Sequence, residues 1–152
     1  MDDRASRGMP LGRREFVVGA AAAATTLAAL TRTAGAAETP KAGSTEQLAA
    51  LAATCVQRGE ECLSHCFSMF SAGDTTLASC ARSVHEMLPV CEALGRLALM
   101  ESTHLGSLSP VCAEICEACE KECRKHAKDH AVCASAADAC KDLAAALRKR
   151  SA

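Results

Sequence analysis

Four thiols, Cys112, Cys116, Cys119 and Cys123, fall within the thirteen residues VCAEICEACEKEC, 111–123, and no glycine or proline separates them. Seven more, Cys55, Cys62, Cys66, Cys80, Cys91, Cys133 and Cys140, bring the chain to 11. Three chemistries use thiols at such density: disulfides, a compact zinc or iron–sulfur site, or a thiolate surface for a soft metal. The gaps are filled by alanine, glutamate and lysine, which favour helix. Choosing among the three therefore depends on where helices point these side chains.

The first 36 residues are not part of that question. A basic segment with Arg4, Arg7, Arg13 and Arg14 precedes the apolar run VVGAAAAATTLAAL and the A-x-A sequence Ala34-Gly35-Ala36, the pattern of an export signal. The run of 14 residues is short for a membrane span, which needs about 20. GRREFVV resembles a twin-arginine motif, with Arg13 and Arg14 as the pair and Phe16 two places on; it departs at Gly12, where Ser or Thr is usual. That route, as the resemblance implies, carries folded cargo, so the mature chain is expected to be exported to the periplasm or another extracytoplasmic space with no membrane attachment once cleaved.

The mature chain, 152 − 36 = 116 residues, is one domain in size. The signal holds five Arg against Asp2, Asp3 and Glu15, a net of +2, so the mature part sits at −3 when the whole is −1. Nothing in that balance suggests nucleic acid. All 11 Cys lie after residue 36, an odd number for a scaffold built of disulfides alone. With no Trp or Tyr and only Phe67 and Phe70 beyond the signal, the core must be made of Ala, Leu, Val and Cys.

Residues 37–43 read as a linker and 44–152 as one bundle of four helices. Ser44 followed by Gln47 is a capping-box pattern, and the first helix is expected to run to about Ala72 with Gly73 closing it. Asp74 or Thr75 is expected to cap a second helix reaching about Glu101, bent where Pro89 removes a donor. STHLGSLSP reads as a loop, Ser109 as a cap and Pro110 as the first position of a third helix ending near Ala127. Asp129 is expected to cap a fourth, from about His130 to Arg148. Short connections make the bundle antiparallel and the fold all-α.

At about 100° per residue, Cys62 and Cys66 lie about 20° either side of Cys55, with Met69 near −40°. Cys80 and Cys91 differ by about 20°, the four thiols of the third helix span about 60°, and Cys133 and Cys140 differ by about 20°. Each stripe is the apolar one, which in a bundle faces the axis. The cysteines should line the core.

Consecutive-turn neighbours have Cβ atoms about 5–6 Å apart, whereas a disulfide needs about 3.8 Å. Iron–sulfur runs such as C-x2-C-x2-C-x3-C-P sit in loops; here the spacing is C-x3-C-x2-C-x3-C with Arg124 following. Structural zinc takes paired C-x2-C knuckles, and only Cys116 and Cys119 make one. Soft Cu(I), content with thiolate and thioether ligands, suits a column of thiols best, with several ions along it. A thiol redox module, a zinc-binding helical domain, and cysteine as a small core hydrophobe remain the other readings. No catalytic constellation stands out, so a non-enzyme is expected.

CVQRGEECLSHCFSMFSAGDTTLASC, residues 55–80, together with VCAEICEACEKEC and AVCASAADACKDL, resembles the bacterial copper storage proteins, particularly the exported, twin-arginine-targeted kind. The resemblance implies a four-helix bundle whose core holds many Cu(I) ions on cysteine thiolates, a homotetramer, and supply of copper to recipient enzymes such as methane monooxygenase. It further implies that His65, Cys66 and Met69, matching an H-C-F-x-M segment, supply ligands at an open end. On geometry alone His65 lies about 80° off the stripe, at the core margin. Ala72 and Leu77 stand where such relatives can carry methionines, and Leu143 and Leu147 where they continue the cysteine ladder, so one end is expected to be plugged by hydrocarbon. Met87 reads as core, His126 and His130 as part of a solvated turn, and His85 and His104 as solvent-facing or structural.

Overall fold

The computed structural model describes residues 43–151. The segments read as a signal peptide, and the linker up to residue 42, lie outside the described residues. Four helices follow: α1 (Thr45–Ser71), α2 (Ala78–Leu99), α3 (Leu105–Arg124) and α4 (Ala131–Ser151). Each packs on its two neighbours in the cyclic order α1, α2, α3, α4, so the diagonal pairs face each other across the axis. This is the expected antiparallel four-helix bundle.

Helix α1 starts as its sequence predicts. Ser44 Oγ accepts from the Gln47 backbone N–H at 3.2 Å, while the Gln47 side chain reaches back to the amide of Gly43, one residue beyond the usual capping box. It ends in a Schellman motif: Gly73 takes φ +84°, its N–H donates to Phe70 O and that of Asp74 to Met69 O. Helix α2 ends the same way, with Ser102 N–H on Leu97 O and Glu101 N–H on Ala98 O, but the left-handed position is held by Glu101 at φ +47°.

Three helix starts differ from expectation. Asp74 accepts from the Thr76 amide and so closes a local turn instead of capping α2, which begins only at Ala78 after Leu77. Residues 105–109 are helical, so Ser109 is no cap and Pro110 lies inside α3. Pro110 is the sixth residue of α3 and has no N–H to donate to Gly106 O, while the buried Ser109 hydroxyl donates to Leu105 O at 2.7 Å. At the fourth helix, His130 and not Asp129 precedes the first helical residue, and its carbonyl accepts from Cys133 and Ala134.

Small residues set the distance between α1 and α2. A Cβ on Gly59 would stand 2.7 Å from Met87 Cε and 2.9 Å from Leu88 Cδ2, and one on Gly95 would meet Ala52 Cβ at 3.3 Å. Across the other seam, Arg148 of α4 donates through Nε and Nη2 to both oxygens of Glu117 on α3, at 2.8 and 2.9 Å. One end of the core is hydrocarbon: Leu48, Leu94, Ala98, Leu105, Leu143 and Leu147 are all fully buried there. The predicted plug is present, and the thiols occupy the middle and the opposite end.

Candidate metal centre

All 11 cysteines are buried with no exposed surface, and none is disulfide-bonded. The stripes inferred from helical periodicity therefore do converge. Their cross-helix arrangement is layered. In the inner layer Cys55 of α1 lies 3.5 Å from Cys140 of α4 and 3.8 Å from Cys91 of α2, which in turn lies 3.5 Å from Cys116 of α3. In the outer layer Cys62 of α1 lies 3.8 Å from Cys80 of α2 and 3.7 Å from Cys133 of α4, and Cys80 lies 3.3 Å from Cys123 of α3. Each layer takes one thiol from every helix.

The remaining thiols extend these layers. Cys112 lies 3.9 Å from Cys91, Cys119 lies 4.0 Å from Cys123, and Cys66 joins Cys62 and Cys80 in a group whose sulfurs all fall within 4.8 Å of one another. A second such group is Cys55, Cys91 and Cys116. An ion at about 2.3 Å from each of three thiolates, the distance thiolates keep from zinc, separates the sulfurs by about 4.0 Å. The spacings present are close to that, and far from the roughly 2.05 Å of a disulfide. Little movement is needed to bring three sulfurs onto one ion.

Charge distribution among the thiols is uneven because each thiolate is solvated by its neighbours' S–H groups. Donation from Cys116 pulls Cys112 down to about 5, and donation from Cys123 pulls Cys119 down to about 5 and Cys80 to about 3. Burial, the leading cause at the two sites nearer the open end, pushes Cys66 up to about 11 and Cys133 to about 12. Donation from neighbouring thiols thus favours the thiolate, the form that binds a soft cation, at Cys80, Cys112 and Cys119.

Two sulfurs and three imidazoles complete the picture. Met87, read from sequence as core, is fully buried, and its Sδ accepts from Cys55 Sγ at 3.5 Å; its reach follows from the bare Gly59 opposite. Met69 packs half-buried against the core at the open end. His65 Nε2 and His130 Nδ1 are 2.9 Å apart, both rings half-buried. The Nε2 of His126 is buried without a hydrogen-bond partner among the described residues. The α3–α4 connection is thus folded onto the open end, and the solvated turn expected for His126 and His130 is corrected: a contact 65 residues apart leaves no mark in local sequence. His85 and His104 are exposed, as expected.

A protein-family model described as Copper storage protein matches residues 41–152 of the chain. The uncharacterized cysteine-rich protein YhjQ of Bacillus subtilis (strain 168) is 31% identical over 101 residues, which make up 60% of this chain and 94% of that protein. Among solved structures, the Cu(I)-bound Copper Storage Protein BsCsp3 is similar with a TM-score of 0.63 and 27% identity, over 71% of this chain and 98% of that chain.

Proposed function

The chain belongs to the copper storage protein family, and on that premise we propose that its thiol layers are filled with about one Cu(I) per cysteine, on the order of ten ions per chain. The protein stores copper, binding multiple Cu(I) ions on the cysteines of its core. The observation that carries the detailed reading is that every thiol is free and buried and stands close to at least one other thiol, in most cases one on a neighbouring helix.

Ligands are assigned as Cys55, Cys62, Cys66, Cys80, Cys91, Cys112, Cys116, Cys119, Cys123, Cys133 and Cys140, with His65 and Met69 at the open end. Each Cu(I) that binds displaces a proton from any thiol still protonated. The His65 mouth is the entry, because the opposite end is closed by leucines. The protein works as a reservoir without catalysis of its own. Titration with Cu(I) against a competing chelator tests this: a plateau on the order of ten per chain is expected for a core filled on its thiolates, and a plateau of two or fewer overturns it.

Twin-arginine export, a periplasmic or extracytoplasmic location, assembly into a homotetramer and delivery to copper-recipient enzymes complete the proposal. The paired Arg13 and Arg14 ahead of the short apolar run support the export route. Arg13→Lys with Arg14→Lys should retain the protein in the cytoplasm; unchanged export would remove the route from the reading. Sedimentation of the mature chain tests the tetramer, and a monomer at working concentration would exclude it.

A further inference from the structure

Copper in the inner layer faces a problem of egress. Cys91 lies 11 residues beyond Cys80 along α2, which at 1.5 Å per residue is about 16 Å deeper. Leucines close the far end, and the outer layer stands between the inner thiols and the histidine mouth. Yet a cleft of about 310 Å³ on the outer seam of α1 and α2 counts Cys91, itself fully buried, among its lining residues. Its walls are Ala52, Ala53 and Val56 on one side and Gly95 and Leu99 on the other, with the polar side chains of Gln57, Glu60 and Glu92 also lining it. At its rim the Arg96 guanidinium is largely exposed and holds Glu92 only loosely, at 3.8 Å.

We propose that this cleft is a second, lateral approach to the sulfur core, where a low-molecular-weight thiol carrying a carboxylate binds and withdraws Cu(I) from Cys91. The volume is that of a small-molecule site, apolar with a few polar groups at the edge. Gly95 carries no side chain and Ala52 facing it only a methyl, and the exposed Arg96, beside Glu92, supplies the partner for the carboxylate. Cys91 is the thiol that bridges the inner group, within hydrogen-bonding reach of Cys55, Cys112 and Cys116. In the exchange the incoming sulfur bonds to copper as the bond from Cys91 Sγ to copper breaks. The proton lost by the incoming thiol passes to the Cys91 thiolate, and the metal stays Cu(I). Only this exchange step rests on the storage reading; access to Cys91 does not.

The test has one arm for each. On the metal-free full-length protein, iodoacetamide labelling followed by peptide mapping should modify Cys91 before Cys112 and Cys140, its neighbours in depth. Ala53→Leu, which fills the cleft from an exposed helical position, should slow Cys91 about tenfold by closing a route of local opening, and leave Cys66 at the mouth unchanged. Labelling of Cys91 no faster than Cys112 and Cys140, or insensitive to Ala53→Leu, overturns lateral access. On the copper-loaded protein, free cysteine added beside a Cu(I) chelator should speed copper loss with saturation, and Ala53→Leu should abolish the saturable part. Equal rates in the two proteins overturn the exchange. A chain that loads no copper would instead fail the stoichiometric titration above, which leaves the labelling arm intact.

Discussion

His65 on α1 and His130 at the entry to α4 share a hydrogen bond of 2.9 Å between Nε2 and Nδ1. One ring must donate and the other accept, so at least one is neutral. The bond ties the α3–α4 connection to the open end, beside Cys66. It occupies Nε2, one of the two ring nitrogens of His65. A metal bound through that nitrogen would displace the bond.

The first prediction follows from that competition. His130→Ala should destabilise the metal-free protein by about 0.5–1.5 kcal/mol, the ordinary net value of such a bond. In the loaded protein the cost should fall if His65 turns from His130 to copper. Urea unfolding of both forms measures it; an equal cost in each would show that His65 keeps His130 when the core is full.

Stability of the metal-free protein should depend on pH in both directions. Cys112 and Cys119 are depressed to about 5 by thiols donating to them, so their contribution is complete above the ordinary thiol value of about 8.5 and is lost as pH falls toward 5. Cys66 and Cys133 are raised by burial to about 11 and about 12, so their contribution is complete below about 8.5 and is lost as pH rises through those values. A maximum near the free thiol value is expected. Denaturant midpoints that rise steadily from pH 8.5 down to 6 would contradict it.

Glu101 holds a left-handed backbone conformation, φ +47°, at the Schellman end of α2. Such a position costs a side-chain-bearing residue about 1–2 kcal/mol, and glycine avoids it. Glu101→Gly should raise the melting temperature by about 4–8 °C per kcal/mol gained in a domain of this size. A lower melting temperature would mean that the exposed Glu101 side chain contributes more than its backbone costs.

Leu143 is fully buried in the hydrocarbon end. Leu143→Ala should cost about 2–5 kcal/mol, through lost transfer energy and the cavity it leaves. Copper binding to the native state should raise stability by mass action in the variant as in the parent. If the plug lies outside the copper sites, the variant's copper plateau is unchanged; a reduced plateau would place Leu143 among the groups that shape a site.

Copper should make the folded state much harder to unfold, because outside the leucine end the core is mostly alanine and cysteine, which bury little apolar area. Calorimetry with and without Cu(I) tests this. Equal melting temperatures would mean the ions bind the unfolded chain as well as the folded one.

What the sequence by itself determined is angular. Which face of each helix carries Cys55, Cys62 and Cys66, or Cys112 through Cys123, follows from 3.6 residues per turn, a local property readable from spacing alone. The capping-box pattern likewise located the α1 cap at Ser44, and the resemblance to copper storage proteins pointed to the hydrocarbon end at Leu143 and Leu147. Sequence reading misjudged the starts of α2, α3 and α4, where Asp74 closed its own turn, helix continued through the residues before Pro110, and His130 stands where Asp129 was expected to cap.

Axial register is another matter, and only the tertiary structure decided it. That Cys55 meets Cys91, Cys116 and Cys140, and Cys80 meets Cys123, depends on how far each helix slides along its neighbour. The slide is set by connection lengths and by close contacts such as Gly59 on Met87 and Ala52 on Gly95. Pairings across 65 residues, as between His65 and His130, belong to the same class. Helical rotation is written in each segment separately, whereas depth along the axis exists only once the helices have packed.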